Sequence, residues 1–135
     1  MKTPKEIVDL MMEGDAFSRW LGISIDKLEP GHCTLSCKVR PEMLNGHHIA
    51  HGGISYSLSD SALAFAANSY GNKCVSIETS ISHLLPVKEG AILSVVCDEI
   101  HRGKTFAIYT VQICNEQREK VSMFKGTVNI SREIW

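Results

Sequence analysis

The stretch "GISYSLSDSALAFAANS", residues 53–69, decides the fold. Ala62, Ala64, Ala66 and Ala67 stand beside Leu58, Leu63 and Phe65, and Asp60 is the only charged residue in the run. A helix lying on a protein surface keeps a polar face toward water. This segment has almost none, so it reads as a long helix buried on most sides, with Gly71 as its stop.

The chain after this helix alternates with strand periodicity. Val75, Ile77, Thr79 and Ile81 fall on one face, and Ser76, Glu78, Ser80 and Ser82 on the other. "LLPVKEG" turns the chain, residues 91–101 form a strand, "HRGKT" turns it again, and "FAIYTVQIC" follows. "NEQREK" is the next turn and "VSMFKGTVNI" the last strand. Before the helix, Ile23, Ile25 and Leu28 alternate up to the turn "EPGH", and Leu35, Cys37 and Val39 alternate after it, which is a hairpin pattern. "PKEIVDLMMEGDAFSRWLG" opens the chain as a short amphipathic helix. Thr3 and Glu6 have capping-box spacing, Pro4 suits the first helical position, Ile7, Leu10 and Met11 form the apolar face, and Gly14 can end it. Long antiparallel strands with one buried helix make an α+β fold, a curved sheet wrapped around that helix.

A chain of 135 residues is read as one domain spanning 1–135. Fourteen basic and fifteen acidic residues give a net charge of -1, with no basic block for nucleic acid. No apolar run is long enough to span a membrane. The N-terminal residues lack the apolar stretch of a signal peptide, so the expected location is cytoplasmic. The five cysteines (Cys33, Cys37, Cys74, Cys97 and Cys114) are scattered, with no CxxC, and read as reduced thiols packed like small hydrophobes.

Chemistry concentrates just before the buried helix, in "LNGHHIAHGG", residues 44–53. His47, His48 and His51 suggest a metal, but Asn45-Gly46 and Gly52-Gly53 make this a loop, and no cysteine or carboxylate nearby completes a ligand set. No metal is expected. A serine hydrolase is set aside because the GxSxG elbow is missing from "GGISYS". The third reading uses the helix start. Gly52 and Gly53 let a ligand approach the backbone where unpaired N–H groups and the helix dipole favour developing negative charge, as in an oxyanion hole. Asp60 is then a buried carboxylate available for chemistry, the plain alternative being that it caps or pairs with a lysine of a neighbouring strand.

Gly52 and Asp60 are eight residues apart, about 12 Å along a helix. Catalytic groups must converge to roughly 3 Å of one carbonyl. If both residues are catalytic they come from different copies of the chain, with two helices antiparallel across a two-fold axis. Ser57, Ser61 and Ala64 are small enough to permit that approach.

The string Asn45-Gly46, His51-Gly52-Gly53, Leu58 and Asp60 resembles the N-G-x(4)-H-G-G-x(4)-L-x-D signature of hot-dog-fold acyl-CoA thioesterases of the phenylacetate-degradation (PaaI-like) type. The similarity runs from Phe17 onward, through "VSIETSISHLLPVKEG", the "GK" of a late hairpin and "FKGTVNI". The resemblance implies a hot-dog fold and hydrolysis of an aromatic or medium-chain acyl-CoA to free acid and CoA. It implies Asp60 as nucleophile or general base, the Gly52 N–H as oxyanion donor, Asn45 orienting water or thioester, and His51 positioning the carbonyl or supporting its loop. Ser76 matches a serine that assists the carboxylate or water in some members. In such dimers Asn45, His51 and Gly52 come from one subunit, and Asp60 and Ser76 from the other. A homo-oligomer is expected, a dimer at least and a tetramer as a dimer of dimers, with no cofactor beyond the CoA of the substrate. Arg102 and Lys104 are candidates for the CoA phosphates. Glu78 shares the face of Ser76 by simple alternation; it either reaches the site or pairs with a base at a subunit contact, the second being favoured. A hot-dog enoyl-CoA hydratase would need a histidine five residues after the aspartate, where this chain has Phe65. A non-catalytic acyl-CoA-binding module would keep the pocket without needing Asp60.

Overall fold

The computed structural model describes residues 1–135. The long apolar segment is a helix, here α3 (Gly52–Asn68), with Leu58, Ala62, Phe65, Ala66 and Ala67 wholly shielded from solvent. It is preceded by α1 (Pro4–Gly14), α2 (Ala16–Leu21), β1 (Ser24–Glu29) and β2 (His32–Lys38), and followed by β3 (Asn72–His83), β4 (Ile92–Arg102), β5 (Phe106–Cys114) and β6 (Lys120–Ile134). The strands form one antiparallel sheet in the order β1-β2-β4-β5-β6-β3. α3 lies against the concave side, and its alanines meet Leu35, Leu93, Val95, Tyr109, Val111 and Phe124 in one core. This is the curved sheet around a buried helix that the alternation pattern demands.

The close approach of helix and sheet is visible at Gly126 on β6. A Cβ there would lie 2.7 Å from Leu63 Cδ2 and 3.1 Å from Phe124 Cε1. The β1–β2 turn uses Pro30 to fix a negative φ and Gly31 to supply a φ of 80°.

Three details depart from the sequence reading. α1 ends at Gly14 as expected, but a second helix starts at once, because Asp15 leaves helical geometry (φ -100°, ψ 78°) and its carboxylate accepts from the Ser18 N–H to cap α2. The buried residues of α1 are Ile7 and Val8, and Leu10 is exposed. The third departure is in β3, where the ladder with β6 slips between Ser76 and Glu78, so that Ser76 lies opposite Val128 and Glu78 opposite Thr127. Neighbouring residues of β6 face opposite sides of the sheet. Ser76 therefore shares the helix-facing side with buried Val128, and Glu78 points the other way. The shared face expected for the two is corrected by this bulge. It also leaves Val75 and Ile77 67% and 63% exposed, on an edge strand that pairs only with β6.

Candidate active site

The loop before α3 is built by its own polar groups. The Asn45 N–H donates to the Ile49 carbonyl at 2.8 Å, and the Asn45 side-chain oxygen accepts from the N–H groups of His47 and Ile49. Its amide NH₂ has no partner in the chain and is free to donate outward. The His51 N–H donates to the Met43 carbonyl, and the Ala50 N–H to that of Val87, anchoring the loop to the core.

His51 is the residue that caps α3. Its Nδ1 accepts from the Gly53 N–H at 2.9 Å, which puts the ring proton on Nε2 in the neutral tautomer. The Ile54 N–H is taken by the His51 carbonyl. Gly52, the first helical residue, has no residue a turn earlier to accept its N–H, which stays unpaired at the positive end of the helix. Asn45 and Gly52 line a cleft of about 290 Å³ with Ser55, His83, Leu84 and Leu85. His83 is the residue that sequence reasoning missed here. Its imidazole lies over the Gly52 Cα, where a Cβ would sit 3.1 Å from Nε2, so a side chain at this position would push the ring aside by a few tenths of an ångström. A histidine at the end of the long strand, just before "LLP", was the available signal.

Asp60 lies on a different cleft, of about 230 Å³, lined by Leu63, Ala64, Cys74, Val75, Ser76 and Val128. Its carboxylate accepts no hydrogen bond and pairs with no cation within the chain, so the alternative of a lysine partner is not what the structure holds. Burial pushes its pKa above the ordinary aspartate value, and the Asp15 charge adds to the effect. The structure thus brings Asp60 to Ser76, and Asn45 to Gly52 beside His51, but one chain does not join the two groups. No residue lines both clefts.

The remaining candidates lie elsewhere. The Arg102 guanidinium sits 3.8 Å from the Tyr70 ring centre and donates to the Ala67 carbonyl near the C-terminal end of α3 and to Tyr109 Oη, both at 3.5 Å. Tyr70 and Tyr109 donate in turn to Glu99 at 2.9 Å each. Arg102 is thus engaged in holding the helix end to the sheet, while Lys104 is exposed in its turn. Glu78 forms no ion pair within the chain. His47 and His48 are exposed loop residues, and no three His, Cys, Asp or Glu side chains converge in a way that would hold a metal ion. All five cysteines are free thiols, with Cys33, Cys37, Cys74 and Cys97 buried. No helix is long and apolar enough to cross a membrane.

Comparison with known proteins agrees with this architecture. The family model described as the thioesterase superfamily matches residues 47–122. The chain is similar to the acyl-coenzyme A thioesterase PaaI of Escherichia coli, 37% identical over 86% of this chain and 83% of that one. The solved structure of E. coli PaaI superposes with a TM-score of 0.93, covering 97% of this chain and 95% of that one at 33% identity. Human acyl-coenzyme A thioesterase 13 is 28% identical over 87% of this chain and 86% of its own. A thioesterase protein of Streptococcus pneumoniae, solved with coenzyme A, superposes with a TM-score of 0.85 at 27% identity, covering 91% of this chain and 96% of that one. Variants of that protein with an aspartate, or a threonine sixteen positions further on, replaced by alanine have also been solved. With its signature loop, its buried helix and its six-stranded sheet, the chain belongs to the thioesterase superfamily, as a hot-dog-fold protein of the PaaI type.

Proposed function

We propose that this chain hydrolyses acyl-CoA thioesters, with water entering, CoA leaving as the free thiol and the acyl group leaving as a carboxylic acid. The observation that carries the reading is Asp60: a half-buried carboxylate with neither cation nor hydrogen-bond donor in its own chain, beside Ser76 in a cleft. Asp60 and Ser76 are sixteen residues apart, the spacing of the aspartate and threonine replaced in the S. pneumoniae protein. Asp60 either attacks the carbonyl or takes a proton from the attacking water, and a carboxylate with raised basicity suits both. The Gly52 N–H and the Asn45 amide receive the oxyanion and orient the reactants. One such donor is worth about 3 kcal/mol of transition-state stabilisation.

The two clefts meet if β3 pairs with β3 of a second copy. The strand offers a free edge twelve residues long and exposes Val75 and Ile77, which favours such pairing. The working enzyme is then a homodimer at least, and a tetramer by pairing of dimers. Glu78, outside the Ser76 cleft, belongs to a contact between subunits. The free thiols fit a reducing, cytoplasmic setting. Aromatic and medium-chain acyl groups are the substrate classes to compare, with no metal or redox cofactor required.

The test is thiol release from acetyl-, hexanoyl- and phenylacetyl-CoA by the wild type and by Asp60→Asn. The variant is expected to lose about two orders of magnitude or more in kcat while keeping its oligomeric state. Turnover near that of the wild type would overturn the assignment of Asp60. Binding of the same thioesters by the wild type with no thiol release would point instead to a binding module.

A further inference from the structure

The turn of α3 that carries Asp60 is held from outside by α2, through bonds that all run one way. Buried Ser18 donates twice to Asp15, from its N–H to Oδ1 at 2.9 Å and from its hydroxyl to Oδ2 at 2.6 Å. An ionised carboxylate only accepts, and a serine hydroxyl has one proton. In the 2.8 Å contact between Ser18 Oγ and Ser61 Oγ the donor must therefore be Ser61. Every proton in this chain is directed toward Asp15, and none toward Asp60, the residue next to Ser61.

We infer that Asp15 is a positioning residue for the reaction: from the N-cap of α2, through Ser18 and Ser61, it holds in place the turn of α3 that carries Asp60. The inference rests on Asp60 being the catalytic carboxylate. Burial raises the Asp60 pKa, and the Asp15 charge adds to that effect. Of the other ionisable groups on elements packed against α3, Glu78 faces away from the Asp60 cleft beyond the β3 bulge, and His83 lies over Gly52 at the start of the helix. Arg19 of α2 donates to the Met12 and Glu13 carbonyls of α1, where Lys5 pairs with Asp9. On β3, Lys73 pairs with Glu133 of β6, and Cys74, on the Asp60 cleft itself, is a thiol pushed up by burial and so uncharged. On β4, Arg102 and Glu99 are joined through Tyr109 near the C-terminal end of the helix. In the proposed dimer, the α3 N-terminus of the second copy, with its His51, is the same in every variant of Asp15.

Asn and Ser both cap helices well, so Asp15→Asn and Asp15→Ser remove the charge and keep the cap. The measurement is kcat/KM against pH for the fastest of the three thioesters, with thermal melting alongside. In both variants the acid limb, which reports ionisation of Asp60, is expected to move to lower pH. Above the limb, kcat falls several-fold as the carboxylate becomes less basic. An acid limb unmoved in both variants, with Asp60→Asn inactive, would overturn the role of Asp15 and leave the thioesterase reading standing, whatever happens to the melting temperature. Normal turnover by Asp60→Asn would overturn both.

Discussion

At the scale of single residues, Asp60 carries a cost that its surroundings do not offset. Its pKa in the folded chain lies above the ordinary 3.8, because burial disfavours the charged form and the Asp15 charge adds to this. Between the unfolded and the folded pKa the folded state binds more protons, so stability falls as pH rises through that window and stays lower above it. Asp60→Asn, which is neutral at every pH, is therefore expected to melt at a higher temperature than the wild type at pH 7. The difference should shrink toward zero as pH falls below the ordinary aspartate value. Melting curves across that range check it, and a variant less stable than the wild type at neutral pH would contradict it. The gain in stability with loss of turnover is the trade expected of a catalytic group held in an unfavourable setting. His51 illustrates the opposite economy, because one side chain caps α3 through Nδ1 and leaves Nε2–H to donate outward.

At the scale of elements, the fold depends on how closely α3 can lie on the sheet. Three buried alanines on the helix, Ala62, Ala66 and Ala67, and a glycine on β6 keep that distance short. Gly126→Ala would drive its Cβ into Leu63 Cδ2 and Phe124 Cε1, and the side-chain shifts required are expected to cost about 1–3 kcal/mol. Urea denaturation with an unchanged m-value and a lower midpoint would show it. The strands' positions along the chain were legible because their alternation has a period of two, whereas their order in the sheet and the full fifteen-residue length of β6 were not. The bulge was not, because one inserted residue leaves the pattern of residue types intact and changes only the partner across the ladder. That single slip sends Glu78 away from Ser76 and leaves Val75 and Ile77 exposed. The second helix was missed for a related reason. Asp15 acts as a breaker for α1 and as a cap for α2, and sequence marks it only as the residue after Gly14.

For the whole molecule, the decisive feature is that the two clefts of one chain have no lining residue in common. If the site is shared between copies, two inactive variants should rescue one another. Asp60→Asn and Asn45→Ala, mixed in equal amounts, unfolded and refolded together, are expected to recover about a quarter of wild-type activity, since half of random dimers are mixed and each holds one complete site. Mixing without refolding should recover nothing until subunits exchange. No recovery after verified subunit mixing would mean that each chain holds its own site. Sequence alone determined the buried helix and the antiparallel strands and singled out the candidate site residues, because these depend on local periodicity and on rare residue types such as a lone charge in an apolar run. Tertiary structure decided which of those residues meet. Ser76 joins Asp60, Glu78 is turned away, His83 covers Gly52, and Asp15 reaches the Asp60 turn, each because a bulge, a strand end or a cap brings together atoms far apart along the chain.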